Sequence, residues 1–347
     1  MAYPKALSEK SIQKMLEKEG ITEQRSVFLH QLFLAGAKLY GVVSLEELWT
    51  VYKETAERNK YQKITKKQFT AFSLIARRED LIYRVYEIDE LYDEKRSDML
   101  RLIILKDLKA RGGVMMDMHY VVTDKSAEYP LYIPEDILSF AEDTYTKYEK
   151  KFLDYLGQLP CRLRSTYNEE GRKVKNENFR RKLKEISCAD ETDRFMLKDY
   201  EKGMKTNPGY YRKLLEELRQ EIEKPVSLRI FENYVRNDKA DWLDISRHLS
   251  ITIQEIIEKT GDLKESEMEE LAHLMTDLHN HTHLYSMHGW SPEELRRQYP
   301  ITSSRPKISF GPNIQRMIEE GTYDRDELER MIREAGFEVF NPDKHLS

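Results

Sequence analysis

The sequence predicts a mainly α-helical protein with one small β element near its N-terminus. Three observations carry that expectation. Apolar residues recur at helical spacing, Ser/Thr capping boxes open successive periodic segments, and residues 81–92 (LIYRVYEIDELY) combine β-branched and aromatic residues as a strand does. Composition agrees: 39% hydrophobic residues can build cores, while 34% charged residues and a mean hydropathy of -0.73 suit amphipathic helices with solvated faces.

In chain order, residues 8–19 and 23–40 read as helices. The second carries Val27, Phe28, Leu32, Leu34 and Leu39 and stops at Tyr40-Gly41, because glycine accepts the left-handed conformation of a helix end. Val42-Val43 reads as a stub strand. Ser44 to Glu47 is a capping box for a helix through Leu48, Trp49, Val51 and Tyr52. Thr65 to Gln68 is a second box, opening a helix whose expected apolar side is Phe69, Phe72, Leu74 and Ile75. The 81–92 strand follows, then the turn DEKR, then a second strand candidate from His119 to Val122. Helix, stub strand, helix, helix, strand is the order of a winged helix-turn-helix, so residues 1–133 are expected to form a winged-helix-like module with a small β wing. The linker from Thr55 to Ile64 is long for a tight helix-turn-helix.

Pro134, suited to a first helical position, predicts a long helix to about Gly157 with Ile137, Phe140, Tyr145, Tyr148, Phe152 and Leu156 as apolar members. That helix and the basic run from Pro160 to Lys184 form an expected connecting segment, 134–206. The run reads as a solvated linker, although Tyr167 and Phe179 among its cations would also suit a second phosphate-contacting surface. Asn207-Pro208-Gly209 opens an expected helical C-terminal domain, 207–347, with helices near 210–223, 226–236, 239–259 and 265–285. Short helices follow: one capped by Ser291 to Glu294, one from Gly311-Pro312 to Gly321, and one from Asp324 to Gly336.

The 57 basic and 62 acidic residues leave a net charge of -5, so any nucleic-acid site must be a local patch. Cys161 and Cys188 lack a C-x-x-C partner, which argues against a disulfide framework and makes a reducing cytoplasm the expected location. The N-terminus lacks a signal-peptide apolar region, and no run of about 18 apolar residues could span a bilayer. No membrane partner is expected. The chain has no P-loop, no strand-linked G-x-G-x-x-G and no G-x-S-x-G elbow, so no catalysis and no cofactor are expected.

Five of the nine histidines fall between residues 273 and 288. The string DLHNHTH is similar to the opening metal motif of the PHP phosphoesterases, but it follows an amphipathic helix, and too little chain remains for their barrel. On a straight helix of about 100° per residue, His273, Asp277 and His281 fall on one flank of the apolar stripe and His279 with His283 on the other. Each flank offers one i,i+4 pair, His279/His283 or Asp277/His281, and neither holds a metal without a distant third ligand. Hydrogen bonding or packing at a helix–helix contact accounts for such histidines without metal.

The same segment carries a resemblance. Asn280, Thr282, Gly289, Ser291, Pro292, Glu294 and Leu295, with SFGPNIQRMIEEG at 309–321, the closing DRDELERMIREAGFEV and the N-terminal LYGVVSLEEL, resemble a poorly characterised bacterial protein family related to proteins with an SEC-C zinc-binding tail. This chain lacks that tail and its cysteines, so the resemblance implies no zinc site. It implies no catalytic residue.

The expected function is nucleic-acid-associated or regulatory binding. Lys66, Lys67, Gln68, Thr70, Arg77 and Arg78 on the second capped helix would face phosphates or base edges of DNA or RNA, with Tyr83 to Tyr92 as the wing. One alternative is a protein-interaction scaffold that docks a partner chain. Another is a metal-dependent hydrolase using the cluster from 277 to 283.

Overall fold

A computed structural model describes residues 3–92, 97–109, 129–161, 166–167, 173–174, 181–187, 191–240, 245–261, 263–299, 307–308, 318, 324–334 and 338–339. The described chain is mainly helical with a small three-stranded antiparallel sheet. It falls into two compact units, Met1–Glu294 and Leu295–Ser347.

The first unit begins with α1 (Glu9–Lys18) and α2 (Glu23–Tyr40), followed by β1 (Val42–Ser44) and α3 (Leu45–Ala56). Gly41 ends α2 at φ 69°, as its residue type predicts. Ser44 is both the last residue of β1 and the cap of α3: its hydroxyl accepts from the Glu47 N–H while the Glu47 carboxylate accepts from the Ser44 N–H. Thr65 and Gln68 repeat this box at α4 (Lys66–Ala76). β2 (Tyr83–Tyr86) and a helical turn, α5 (Asp89–Tyr92), come next, so the expected strand over 81–92 is half strand and half helix. Acidic Asp89 and Glu90 stabilise a helical first turn and are poor strand formers.

The central strand is β3 (Leu102–Leu105), which the sequence reading did not single out. It pairs antiparallel with both neighbours, Val43 opposite Ile103 and Val85 opposite Ile103, giving the order β1–β3–β2. Ile103 faces a helical core of Leu29, Leu32, Phe33, Leu48, Phe69 and Phe72. Ile104 faces the other way, into a smaller cluster with Val42, Tyr86, Leu108 and Tyr285. Both faces of the sheet are therefore covered, and a four-residue apolar run buried on two sides has no alternation to announce it. The strand candidate from His119 to Val122 lies outside the described residues.

The long helix expected from Pro134 is not formed. Residues 129–146 run as a strap with one 3-10 segment, Ile137–Ala141, and α6 (Lys147–Gln158) starts only at Thr146, where a third capping box with Glu149 captures the first turn. The Lys38 ammonium donates to the Ala141 carbonyl at 2.9 Å, and the Asn59 amide donates to the Glu135 carbonyl at 2.7 Å. Those carbonyls are thus held by the first core rather than by helix N–H groups. Tyr145, expected on the apolar face of that helix, precedes α6 and is exposed.

β4 (Thr166–Tyr167) and β5 (Lys173–Val174) form a two-residue antiparallel ladder inside the basic run, of which 162–165, 168–172 and 175–180 lie outside the described residues. α7 (Glu191–Gly203) and α8 (Pro208–Glu223) form a hairpin in which the Tyr211 ring packs on Gly203. α9 (Val226–Ala240), α10 (Ile245–Thr260) and α11 (Glu265–His281) pack with α6 around Phe152, Leu156, Phe231, Tyr234, Ile256, Leu271, Met275 and Leu278. α11 stops at His281, short of the expected 285, because Thr282 takes extended backbone at φ -84°, ψ 132°. α12 (Pro292–Gln298) follows the corner. In the second unit, β6 (Lys307–Ile308) pairs parallel with β7 (Glu338–Val339), and α13 spans Arg325–Glu334. Of the short helix expected from Gly311-Pro312 to Gly321, only Ile318 is described, as helical. Among the described residues no helix is long and apolar enough to cross a membrane.

Candidate functional site

α4 is two-sided. Phe69, Phe72, Ser73, Ile75 and Ala76 are buried, with Phe69 and Phe72 edge-on to Phe33 at 5.1 and 5.3 Å between ring centroids. Leu74, expected on this side, is 41% exposed. At about 100° per residue it lies opposite Phe69, and so do Lys67 and Ala71. Val27 on α2 is likewise 53% exposed.

The six expected nucleic-acid contacts separate into three groups. Lys66, Lys67 and Arg78 are exposed. Gln68 is spent on structure, its Oε1 accepting from the Thr65 N–H at 3.1 Å and its Nε2 donating to the Gly20 carbonyl at 2.9 Å. Thr70, half-buried, donates its hydroxyl to the Lys66 carbonyl at 2.9 Å. Arg77 is 8% exposed and turned inward, where its guanidinium donates to both Glu90 oxygens at 2.7 and 2.8 Å and to the Val85 carbonyl at 3.2 Å. Burial alone would lower the Arg77 pKa, but the Glu90 hydrogen bonds and charge outweigh it and hold it raised. Arg77 is a tie between α4 and the β2–β3 connection, not a surface cation. The sequence contains that signal: Phe69, Ser73, Ala76 and Arg77 follow at i, i+4, i+7 and i+8.

Arg101, which the sequence reading did not single out, makes a second tie. Its Nε donates to Glu87 at 2.8 Å, one terminal nitrogen to Asp98 at 2.7 Å and the other to the Ser73 hydroxyl at 3.1 Å. Just behind the end of α4, His30 is hydrogen-bonded through Nδ1 to the Tyr83 hydroxyl at 2.9 Å, with Nε2 3.4 Å from Glu79. Burial pushes His30 down to about 4 and the Glu79 carboxyl up to about 6.

The histidine cluster disperses. His279 Nδ1 donates to Asp238, a buried carboxylate on α9, at 2.8 Å. His281 Nδ1 donates to the Asp277 carbonyl at 2.8 Å while its ring stacks on Tyr148 at 3.7 Å. His283 lies beyond the helix end and donates through Nδ1 to the Gly289 carbonyl at 2.6 Å. The expected His279/His283 pair therefore does not share a helix flank, and the Asp277 carboxylate faces His273 at 3.9 Å. Among the described residues no group of three His, Cys, Asp or Glu side chains converges on one point.

Two stretches that sequence alone left far apart meet here. Gly41 (φ 69°) receives the ring of Tyr285, so that a Cβ would stand 2.6 Å from it; Gly289 (φ 84°) receives the ring of Tyr40, with a Cβ at 2.7 Å. The Tyr40 hydroxyl donates to the Tyr132 carbonyl at 2.6 Å, and the Tyr132 hydroxyl donates to Glu294 at 2.8 Å. Glu294 also accepts from the Ser291 hydroxyl, closing the cap of α12, and Trp290 Nε1 donates to the Pro130 carbonyl at 2.9 Å. Burial lowers the His283 pKa, partly offset by Glu294 and the Gly289 carbonyl. Burial raises the Glu294 carboxyl, but His283, Ser291 and Tyr132 outweigh it and hold it lowered. Tyr40, Tyr132, His283, Trp290, Ser291 and Glu294 each have an internal partner, and the Tyr132 ring packs against His283 and Trp290, which is the chemistry of a joint. Comparison with protein-family models, with curated proteins and with solved structures returned no match.

Proposed function

We propose that the N-terminal part of the chain is a winged-helix module that binds nucleic acid through the outward side of α4. The observation that carries this is the presentation of α4: Lys66 and Lys67 are exposed on a helix that contains no acidic residue, and Arg78 is exposed just past its end. The element order α2–β1–α3–α4–β2–β3 and the strand order β1–β3–β2 support the reading, since the connection from β2 to β3 then takes the part of the wing. Arg77 and Arg101 hold that connection against α4. Lys66, Lys67 and Arg78 would contact phosphates, and Gln68 and Arg77 would act by shaping the module. No catalytic step belongs to this reading. The clasp between Tyr40-Gly41 and Tyr285–Glu294 fits the resemblance to the SEC-C-related bacterial family, because it gives the shared residues of both stretches one joint structural role.

The test is fluorescence anisotropy with a labelled mixed-sequence duplex at about 50 and 200 mM salt. Micromolar binding that weakens steeply with salt is expected, and the triple variant Lys66→Glu, Lys67→Glu, Arg78→Glu should lose it. Absence of salt-sensitive binding at micromolar protein would refute the reading. A second reading, docking of a protein partner, is favoured by one observation, the exposed Leu74 beside Ala71 in the middle of the same face. It predicts a partner whose binding survives the charge reversal and is lost with Leu74→Asp.

A further inference from the structure

We propose that α4 reads the 5-methyl groups of thymine in the major groove of duplex DNA, with Leu74 and Ala71 as the reading side chains. This rests on the nucleic-acid reading of α4 given above. Along the outward face of α4, Lys67, Ala71 and Leu74 follow at i, i+4 and i+7, and Arg78 is exposed two residues past the helix end, in a turn whose N–H bonds back to the Ile75 carbonyl. Its ends are cationic. Its middle offers only a methyl group and an isobutyl group, and Leu74 is 41% exposed.

Cations at the two ends of that face can reach phosphates on the walls of a major groove about 12 Å wide. The side chains between them then face base edges. Neither Ala71 nor Leu74 can donate or accept a hydrogen bond, so the patterns that distinguish guanine, cytosine and adenine are invisible to them. The one apolar feature of that groove is the thymine methyl. Thr70, half-buried, gives its hydroxyl proton to the Lys66 carbonyl and so cannot donate to a base edge.

RNA duplexes fit poorly on two counts, because uracil has no methyl and the A-form major groove is too deep and narrow to admit a helix. Single strands are bound by stacking on exposed aromatic rings, and both rings of α4, Phe69 and Phe72, are buried. An apolar protein partner would also cover Leu74. The flanking cations favour a polyanion instead, and Asp80, the nearest exposed acid after Arg78, is already paired with Lys106 at 2.7 Å.

The full chain should be titrated into an alternating dA·dT duplex of about 20 base pairs and into the same duplex with deoxyuridine in place of every thymidine. That exchange removes the methyl and leaves base pairing and the minor-groove pattern unchanged. The thymine duplex should bind about fivefold or more tightly. Leu74→Ala, which removes an exposed side chain and leaves the core intact, should bring the ratio toward one with the salt slope unchanged. Lys67→Ala with Arg78→Ala should weaken both duplexes alike and lower the salt slope by about two. Equal affinity for the two duplexes, with salt-sensitive binding retained, overturns the methyl reading and leaves nucleic-acid binding standing. No salt-sensitive binding to either duplex overturns nucleic-acid binding itself. A thymine preference that survives Leu74→Ala removes Leu74 from the role.

Discussion

Gly41 and Gly289 are the two positions at which a single methyl group has the most to disturb. Each has positive φ and each is covered by a tyrosine ring, so alanine meets both backbone strain and a clash with a buried aromatic. Gly289→Ala should cost about 2–4 kcal/mol of stability in urea unfolding. Arg77 is a second such residue. Arg77→Ala leaves Glu90 largely buried without its cation and should cost about 3–5 kcal/mol, whereas Arg77→Met with Glu90→Met should recover much of the loss. His30 and Glu79 give opposite pH dependences. A histidine held down near 4 takes up its proton more readily when unfolded, so its contribution falls as pH drops from about 6.5 to 4. A carboxyl raised to about 6 binds its proton more readily when folded, so its contribution falls as pH rises from about 4.5 to 6. The two oppose each other in the middle of the range. In His30→Asn the histidine contribution is removed and the Glu79 contribution stays, so the urea midpoint should fall less on acidification from pH 6 to 4.5 than in the parent chain; a midpoint that falls as steeply as in the parent would contradict this account.

At the scale of elements, helix starts were legible and strand identities were not. Ser44, Thr65 and Ser291 cap helices where the sequence predicts them, because a capping box closes within four residues and needs no partner from elsewhere. Ser44→Ala should therefore cost about 1 kcal/mol, read from thermal or urea melts. The long helix expected from Pro134 failed for the same reason in reverse. Proline permits a first turn but does not create one, and the Thr146–Glu149 box supplies the nearer start. β3 was invisible because it is short and buried on both faces, leaving an apolar run without period. α4 was half legible: its cap and its inner rings followed from the sequence. Leu74 lies outward and Arg77 inward, the reverse of the expected sides, and their helical angles from Phe69, about 140° and 80°, account for it.

For the first unit as a whole, the sheet is the meeting place. Its inner face rests on the core of α2, α3 and α4, and its outer face is covered by Tyr285, which arrives from the corner after α11. A fragment ending at Ile133 should then expose Val42, Tyr86 and Ile104 and bind a hydrophobic dye that the full chain does not. Equal dye binding by the two would show that the outer face needs no cover.

The sequence by itself determined the helical class, the capped starts of α3 and α4, the stop at Gly41 and the cationic composition of α4, all of which depend on residues within a turn or two of one another. The tertiary structure alone decided that β3 lies between β1 and β2, that Arg77 and Arg101 face inward, that the histidines part to separate acceptors, and that Tyr40-Gly41 meets Tyr285 and Gly289. These outcomes depend on contacts between segments distant in the chain, where the free energy comes from shared burial and paired charges, and neither has a local signature to read.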